Sequence, residues 1–339
     1  MTFRSRFRFA LCNACDERGI ALLLVLWIFI FLFVVAFEFS TAAREEATAA
    51  HRFSDETQGY YLAVAGFEQG VYDFLQQSSQ QEPAVNAKPA DLFDGMWREE
   101  TLGNGFYRFR LVDESGKINI NRVDEDTLRR ILTNLGVEEP RRTILVDSIL
   151  DWRDPDDLHR VNGAENEYYL ALSPAYTAKN GPFDAIEDLL WVRGVTTDLY
   201  YGDGDDTGSG GKSERVGLKD IFTVDSPIDR VNLRTASAEV IHALLGMPLA
   251  KCRDFIEERQ KLSEKSIADM LRLLGIEAGN VMLQKFIFAN PTVITIEAEG
   301  QPENSRLPRR VKGVIRAGGV NRRFDLLRWV DRDIELPQH

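Results

Sequence analysis

The chain has 339 residues, with 53 acidic against 41 basic side chains and a formal net charge of −12. That length allows more than one domain, and the acidic balance argues against a surface built to hold nucleic acid. Four scattered histidines (His51, His159, His242 and His339) give no HExxH pair, and no GxSxG nucleophile elbow occurs, so the residues offer no catalytic constellation.

The first 19 residues carry Arg4, Arg6, Arg8 and Arg18 against Asp16 and Glu17. Residues 20–37 then form an unbroken apolar run, IALLLVLWIFIFLFVVAF, about 27 Å long as a helix and enough to cross the hydrocarbon core of a bilayer. The arginine bias places residues 1–19 in the cytoplasm and the remainder across the membrane. A cleaved secretory signal is the rival reading. Its apolar core would be shorter, and the small-residue site Ala47-Thr48-Ala49 lies too far beyond this one. Cys12 and Cys15 form a CxxC without a second ligand pair, so zinc is not indicated, and Cys252 reads as a buried small hydrophobe.

The helical pattern continues to about Gln76 without proline, with Gly59, Gly66 and Gly70 as weak points. Residues 20–37 are therefore the transmembrane part and residues 38–76 the periplasmic part of one spine helix. Phe53, Tyr60, Val64, Phe67, Val71 and Phe74 recur at three-, four- and seven-residue steps, a stripe that packs against something apolar. The later half of the stripe fits the core of the chain's own head, and the alanine-rich 42–50 stretch is thin enough to meet partner helices. Residues 76–90 are polar with two prolines and read as a loop.

Gly19 followed by IALLLVLW resembles the prepilin-peptidase sites of type IV pilins and type II secretion pseudopilins. The resemblance implies cleavage after Gly19 and N-methylation of the new amine on Ile20. Most members carry a glutamate at the fifth mature position, where it pairs with the buried amine of a neighbour. Here that position is Leu24, a departure characteristic of the K class of minor pseudopilins, which the chain resembles. A leucine cannot neutralise an ammonium in lipid, so such a subunit fits the tip of a fibre rather than its shaft.

A strand is expected at residues 105–112, where Tyr107, Phe109 and Leu111 alternate with Arg108 and Arg110. Residues 293–299 alternate in the same way, and residues 311–316 and 323–330 flank Gly318-Gly319, a hairpin signal. These strands bracket a long helical middle. The expected fold is α+β: a pilin-like spine helix on an antiparallel sheet from residues 77–118 and 291–339, with an all-α domain inserted over residues 119–290.

The insert shows a loose repeat. Residues 123–136, 183–195, 237–246 and 266–276 each read as a helix with a capping Asp, Ser or Thr near its start and a glycine near its end. These units resemble SAM-like and helix-hairpin-helix folds, as the K class implies. Helix-hairpin-helix elements can hold DNA through backbone amides and nearby cations. The hairpins here, LGVEEP, RGVTTD, LGMPLAK and LGIEAG, place a cation close behind only the third. Protein contact or plain packing is the better reading.

Two acidic stretches remain. In residues 203–214, Gly211-Lys212-Ser213 mimics the end of a P-loop, but Asp206 replaces its first glycine. Asp203, Asp205, Thr207 and Glu214 fall at positions 1, 3, 5 and 12 of a calcium loop, with Gly208 at position 6. A solvated acidic loop is the other reading, and the K-class resemblance inclines toward Ca²⁺. The second stretch holds Asp151, Asp154, Asp156 and Asp157, with Asn162, Glu165 and Glu167 behind. It reads as a turn with capping residues, or as a second metal site or partner surface.

The resemblance implies a single-pass protein of the Gram-negative inner membrane, non-enzymatic, with its C-terminal part in the periplasm. Its partners would be prepilin peptidase, the I- and J-class minor pseudopilins and exported substrates, with no nucleic acid. Its role would be to initiate or cap, at its tip, the pseudopilus that exports folded proteins. The alternatives are a minor tip subunit of a type IV pilus and a helix-hairpin-helix DNA-uptake protein.

Overall fold

The computed structural model describes residues 17–79, 92–93, 95–202, 215–261, 267–276, 281–303, 305, 307–318 and 324–331. The chain divides into two units, residues 1–58 and 59–339. Helix α1 (Glu17–Ser79) contributes to both. In the first unit its apolar run is exposed around the whole circumference, as Leu23, Trp27, Phe31 and Phe33 show. A helix apolar on every side has no aqueous face, which is the pattern of a membrane segment. Beyond it, the hydroxyls of Thr41 and Thr48 donate back to the carbonyls of Glu38 (2.9 Å) and Arg44 (2.8 Å), so these side chains are satisfied within the helix.

The second unit continues α1 and adds β1 (Arg98–Leu102) and β2 (Gly105–Asp113). A 3₁₀ turn at Glu114–Gly116 leads to β3 (Ile118–Asn119), then α2 (Glu125–Asn134), α3 (Arg141–Arg153) and α4 (Asn166–Leu170). A second 3₁₀ turn, Ile186–Trp191, precedes α5 (Thr197–Tyr201), α6 (Leu218–Ile221), β4 (Phe222–Thr223) and β5 (Val231–Asn232). Next come α7 (Ala238–Leu245), α8 (Leu249–Lys261), α9 (Ile267–Leu273) and β6 (Phe286–Ile287). The chain closes with β7 (Val293–Pro302), β8 (Arg309–Ala317) and β9 (Phe324–Val330).

The main sheet is antiparallel in the order β1-β2-β7-β8-β9. β2 and β7 are neighbours, with Asp113 opposite Ile294, so the chain leaves the sheet and re-enters it at the same end. The period-two pattern sends Tyr107, Phe109, Leu111, Ile294, Ile296 and Ala298 inward, onto Ala63, Phe67, Val71 and Phe74 of α1. The later half of the apolar stripe is thus the underside of the sheet. Glycine is a packing device here rather than a weakness. Gly70 has Ile296 and Phe109 against it, and a Cβ at Gly300 of β7 would collide with Ala63 N and Gly59 O of the helix backbone.

The outward residues form rows of alternating charge. Arg108 Nε donates to Glu299 at 2.6 Å and Arg110 Nε to Glu297 at 2.8 Å, and Glu299 also pairs with Arg310. Strand β1 was not expected. Its Arg98, Glu99, Glu100 and Thr101 lack a buried face because it is an edge strand, and charge protects such an edge from stray pairing. Gly319, of the expected hairpin glycines, lies outside the described residues, although β8 and β9 pair as expected.

A second core lies among the helices, built on Leu128, Ile131 and Leu132 of α2, Leu145 and Ile149 of α3, and Ile241 and Leu244 of α7. This segment departs from all-α in one respect. β3 pairs in parallel with β4, and β5 with β6. The buried backbone just before α2 and α7 needs partners, and these short pairs supply them. The segment 183–195, expected as a helix, forms only the 3₁₀ turn. The loose repeat has a structural counterpart. Arg153 at the end of α3 donates to the carbonyls of Ile120 (2.5 Å) and Val123 (2.7 Å), ahead of α2. Arg259 in α8 does the same for Leu233 (2.8 Å) and Ala236 (2.9 Å), ahead of α7. Buried carboxylates tie this part to the sheet. Asp113 accepts from Thr235 Oγ (2.6 Å) and Asn232 Nδ2 (2.9 Å), and Glu114 accepts from the hydroxyls of Thr223 and Thr295.

Candidate functional site

Helix α3 places Asp147 and Asp151 one turn apart on one face, both buried, and ends at Asp154. The chain then loops through residues 154–165 and folds back over them. Arg160 Nη1 bridges Asp151 Oδ1 at 2.6 Å and Asp154 Oδ2 at 2.8 Å, and its backbone N–H donates to the Asp151 carboxylate at 3.1 Å. Asn162 N donates to Asp147 Oδ2 at 3.1 Å. Asp156 and Asp157 face away from this centre. Asp156 Oδ1 accepts from Leu158 N (2.9 Å), and Asp157 Oδ1 from Asn166 Nδ2 (2.8 Å) and Asn180 Nδ2 (3.1 Å). The four aspartates expected as one cluster therefore divide into two at a charged centre and two that brace the loop.

Gly163 sits directly on Asp151, where any side chain would strike the carboxylate. Two residues on, Glu165 is 4% exposed, and neither of its carboxylate oxygens has a hydrogen-bond partner among the described residues. Burial, reinforced by Asp151, Asp154, Asp157 and Asp156, pushes its carboxyl up to about 7. Asp154 Oδ1 is also buried without a partner. Nearby arginines do not fill the gap. Arg153 is committed to carbonyls ahead of α2, and Arg193 donates to Gly163 O at 2.9 Å while lying over the Tyr168 ring.

Two carboxylates, Asp151 and Asp154, thus share one guanidinium, while Glu165, outside that pairing, is left without a hydrogen bond among the described residues. As arranged here, no group of three or more His, Cys, Asp or Glu side chains among the described residues is spaced to hold a metal. Arg160 stands between Asp151 and Asp154 instead. The arrangement is that of an arginine-paired acidic loop, and the second-metal-site reading of this stretch finds no support in it. The sequence had marked the aspartates and Glu165, but nothing in it singled out Arg160.

Among the other expected positions, Gly19 and Ile20 lie in the first turns of α1, and the side chain of Leu24 is exposed in its apolar run. The stretch 21–77 holds a window of mean hydropathy 2.9, none of it buried, long and apolar enough to cross a membrane. The calcium-loop candidates Asp203, Asp205, Thr207 and Glu214 lie outside the described residues.

Residues 110–201 match the family model described as type II secretion system (T2SS), protein K. The chain is 25% identical over 287 residues to the type II secretion system protein K of Pseudomonas aeruginosa, covering 78% of this chain and 80% of that one. It is 27% identical over 197 residues to the protein of the same name from Klebsiella pneumoniae, covering 54% of this chain and 60% of that relative's length. The fold resembles the crystal structure of the GspK-GspI-GspJ complex from the enterotoxigenic Escherichia coli type 2 secretion system. There the TM-score is 0.64 at 15% identity, over 84% of this chain and 99% of that one. Over residues 110–201 by the family model, and more widely by these relatives and the shared fold, the chain is similar to type II secretion system K proteins.

Proposed function

We propose that the chain is a non-enzymatic minor pseudopilin of a type II secretion system. It is held in the inner membrane by residues 20–37, with residues 1–19 cytoplasmic until prepilin peptidase cuts after Gly19 and Ile20 is methylated. The observation that carries this reading is α1, fully apolar at its start and, from Gly59, the packed underside of an antiparallel sheet. A related K protein has been crystallised with GspI and GspJ, which supports small pseudopilins of the I and J classes as partners. Leu24 supports a place at the fibre tip. Without a carboxylate at the fifth mature position the subunit cannot neutralise a neighbour's ammonium in lipid.

Calcium belongs to the same proposal. Asp203, Asp205, Thr207 and Glu214, at calcium-loop spacing, would hold the ion. Extraction of the full chain from inner membranes tests the assembly. Recovery with two small pseudopilins is expected. Salt-sensitive retention on DNA without those partners would favour an uptake protein instead.

A further inference from the structure

We infer that the loop between α3 and α4 presents Leu158 and Val161 as a preformed anchor for a partner protein, one whose apolar pocket is ringed by lysine or arginine. Leu158 is 79% exposed and Val161 93%. One exposed aliphatic needs no explanation, but a loop free to turn inward would cover two of them. This loop is held so that it cannot. The backbone N–H groups of Leu158, Arg160, Asn162 and Gly163 donate to Asp156, Asp151, Asp147 and the carbonyl of Arg160. The Arg160 side chain reaches in to Asp151 and Asp154, and Gly163 lies so close to Asp151 that a side chain there would strike it. With Arg160 turned in, Leu158 and Val161 to either side of it stand out in water.

Ordering a loop costs conformational entropy at every residue, and a loop already ordered loses little more when its tip is covered. Two branched aliphatics on such a tip are what a partner's pocket can close over at small further cost. The surroundings set the chemistry of that partner. Residues 151–167 carry six carboxylates against two arginines, and both arginines are engaged within the chain, Arg153 on carbonyls and Arg160 on aspartates. A surface that approaches the tip is drawn in only if its own rim is basic. The same negative field repels anionic lipid headgroups, so the tip fits a protein rather than a membrane surface.

The test places photo-reactive benzoylphenylalanine at the exposed His159, between the two anchors, in the full chain in the cells that express it. A control chain carries it at Leu307, which is 79% exposed between β7 and β8. On irradiation the His159 chain gives a protein adduct that the Leu307 chain lacks. Mass spectrometry maps the cross-link to an apolar stretch of the partner flanked by lysine or arginine. Leu158→Ser/Val161→Ser lowers the yield of that adduct by at least about tenfold, because two buried aliphatics are lost from the contact. Unfolding of the same variant in detergent is unchanged, since both side chains already lie in water. Raising the salt in isolated membranes lowers the yield severalfold. The inference is overturned by a phospholipid adduct, by no protein adduct, by the same adduct at Leu307, or by a mapped site rimmed with acids. It is equally overturned if the yield ignores the double substitution. If that substitution destabilises the chain, Leu158 and Val161 belong to the loop's own packing and the anchor falls.

Discussion

The sheet with its spine and the helical segment inserted between β2 and β7 are built on different terms. In the sheet, helix and strands meet backbone to backbone at Gly300, and the almost buried Glu299 is paired with Arg108 and Arg310. In the helical segment a buried carboxylate, Glu165, is left without a hydrogen-bond partner among the described residues, and two carboxylates share one arginine. A close-packed, charge-balanced body has one state available to it. A body carrying surplus buried charge is stabilised by whatever supplies the missing cation, so its stability follows solution conditions.

The largest effect should come from closing the gap that the sheet requires. Gly300→Ala drives a methyl into the backbone of α1 at Ala63 and Gly59, and a loss of about 3 kcal/mol is expected in denaturant unfolding of the full chain in detergent. A change below about 0.5 kcal/mol, the range of ordinary surface substitutions, would show that helix and strand do not touch there. In the helical part, calcium at a hundredfold excess over its Kd should raise unfolding free energy by about 2.7 kcal/mol. That gain should vanish in Asp203→Asn/Asp205→Asn, which removes two of the proposed ligands. An equal gain in the variant would remove the 203–214 calcium proposal.

Arg259→Met keeps the bulk of the side chain but leaves the carbonyls of Leu233 and Ala236 without their donor. A loss of about 2 kcal/mol is expected, confined to the helical part in hydrogen exchange. Spread of the loss into β2 and β7 would mean that the two parts unfold as one. The smallest effect concerns Asp113 at their junction. Burial raises its carboxyl above 3.8, against the hydrogen bonds from Thr235, Ser115 and Asn232. Between 3.8 and the raised value the folded state holds more protons than the unfolded one. Asp113 therefore lowers stability as pH climbs through that window. Asp113→Asn should flatten this part of the pH–stability curve. An unchanged slope would assign the slope to other carboxylates.

The sequence made the spine and the strands around residues 105–112 and 293–330 legible because their patterns have the right periods and one buried face. Among the elements that escaped, two did so for opposite reasons. β1 is an exposed edge of charged residues with no buried face to alternate, and α3 is buried on nearly all sides from Leu145 to Trp152, which erases the helical stripe. At the candidate site, composition gave the acids but not their division. Asp151 and Asp154 turn to the centre and Asp156 and Asp157 to the loop because the chain reverses between residues 154 and 165. Neither Arg160's bridge nor the isolation of Glu165 could be read before that reversal was known. The glycines of α1 read as flaws along the helix and become contacts only once the sheet lies against them.

The central claim is that α1 begins as a processed pseudopilin spine. The most direct measurement is the intact mass and N-terminal sequence of the full chain recovered from inner membranes, with prepilin peptidase present and with it deleted. The account predicts a chain starting at methylated Ile20 only when the peptidase is present, and a longer precursor without it. An uncut chain in both, or one starting near Ala50, would contradict it and leave a membrane-tethered or secreted binding domain in place of a pseudopilin.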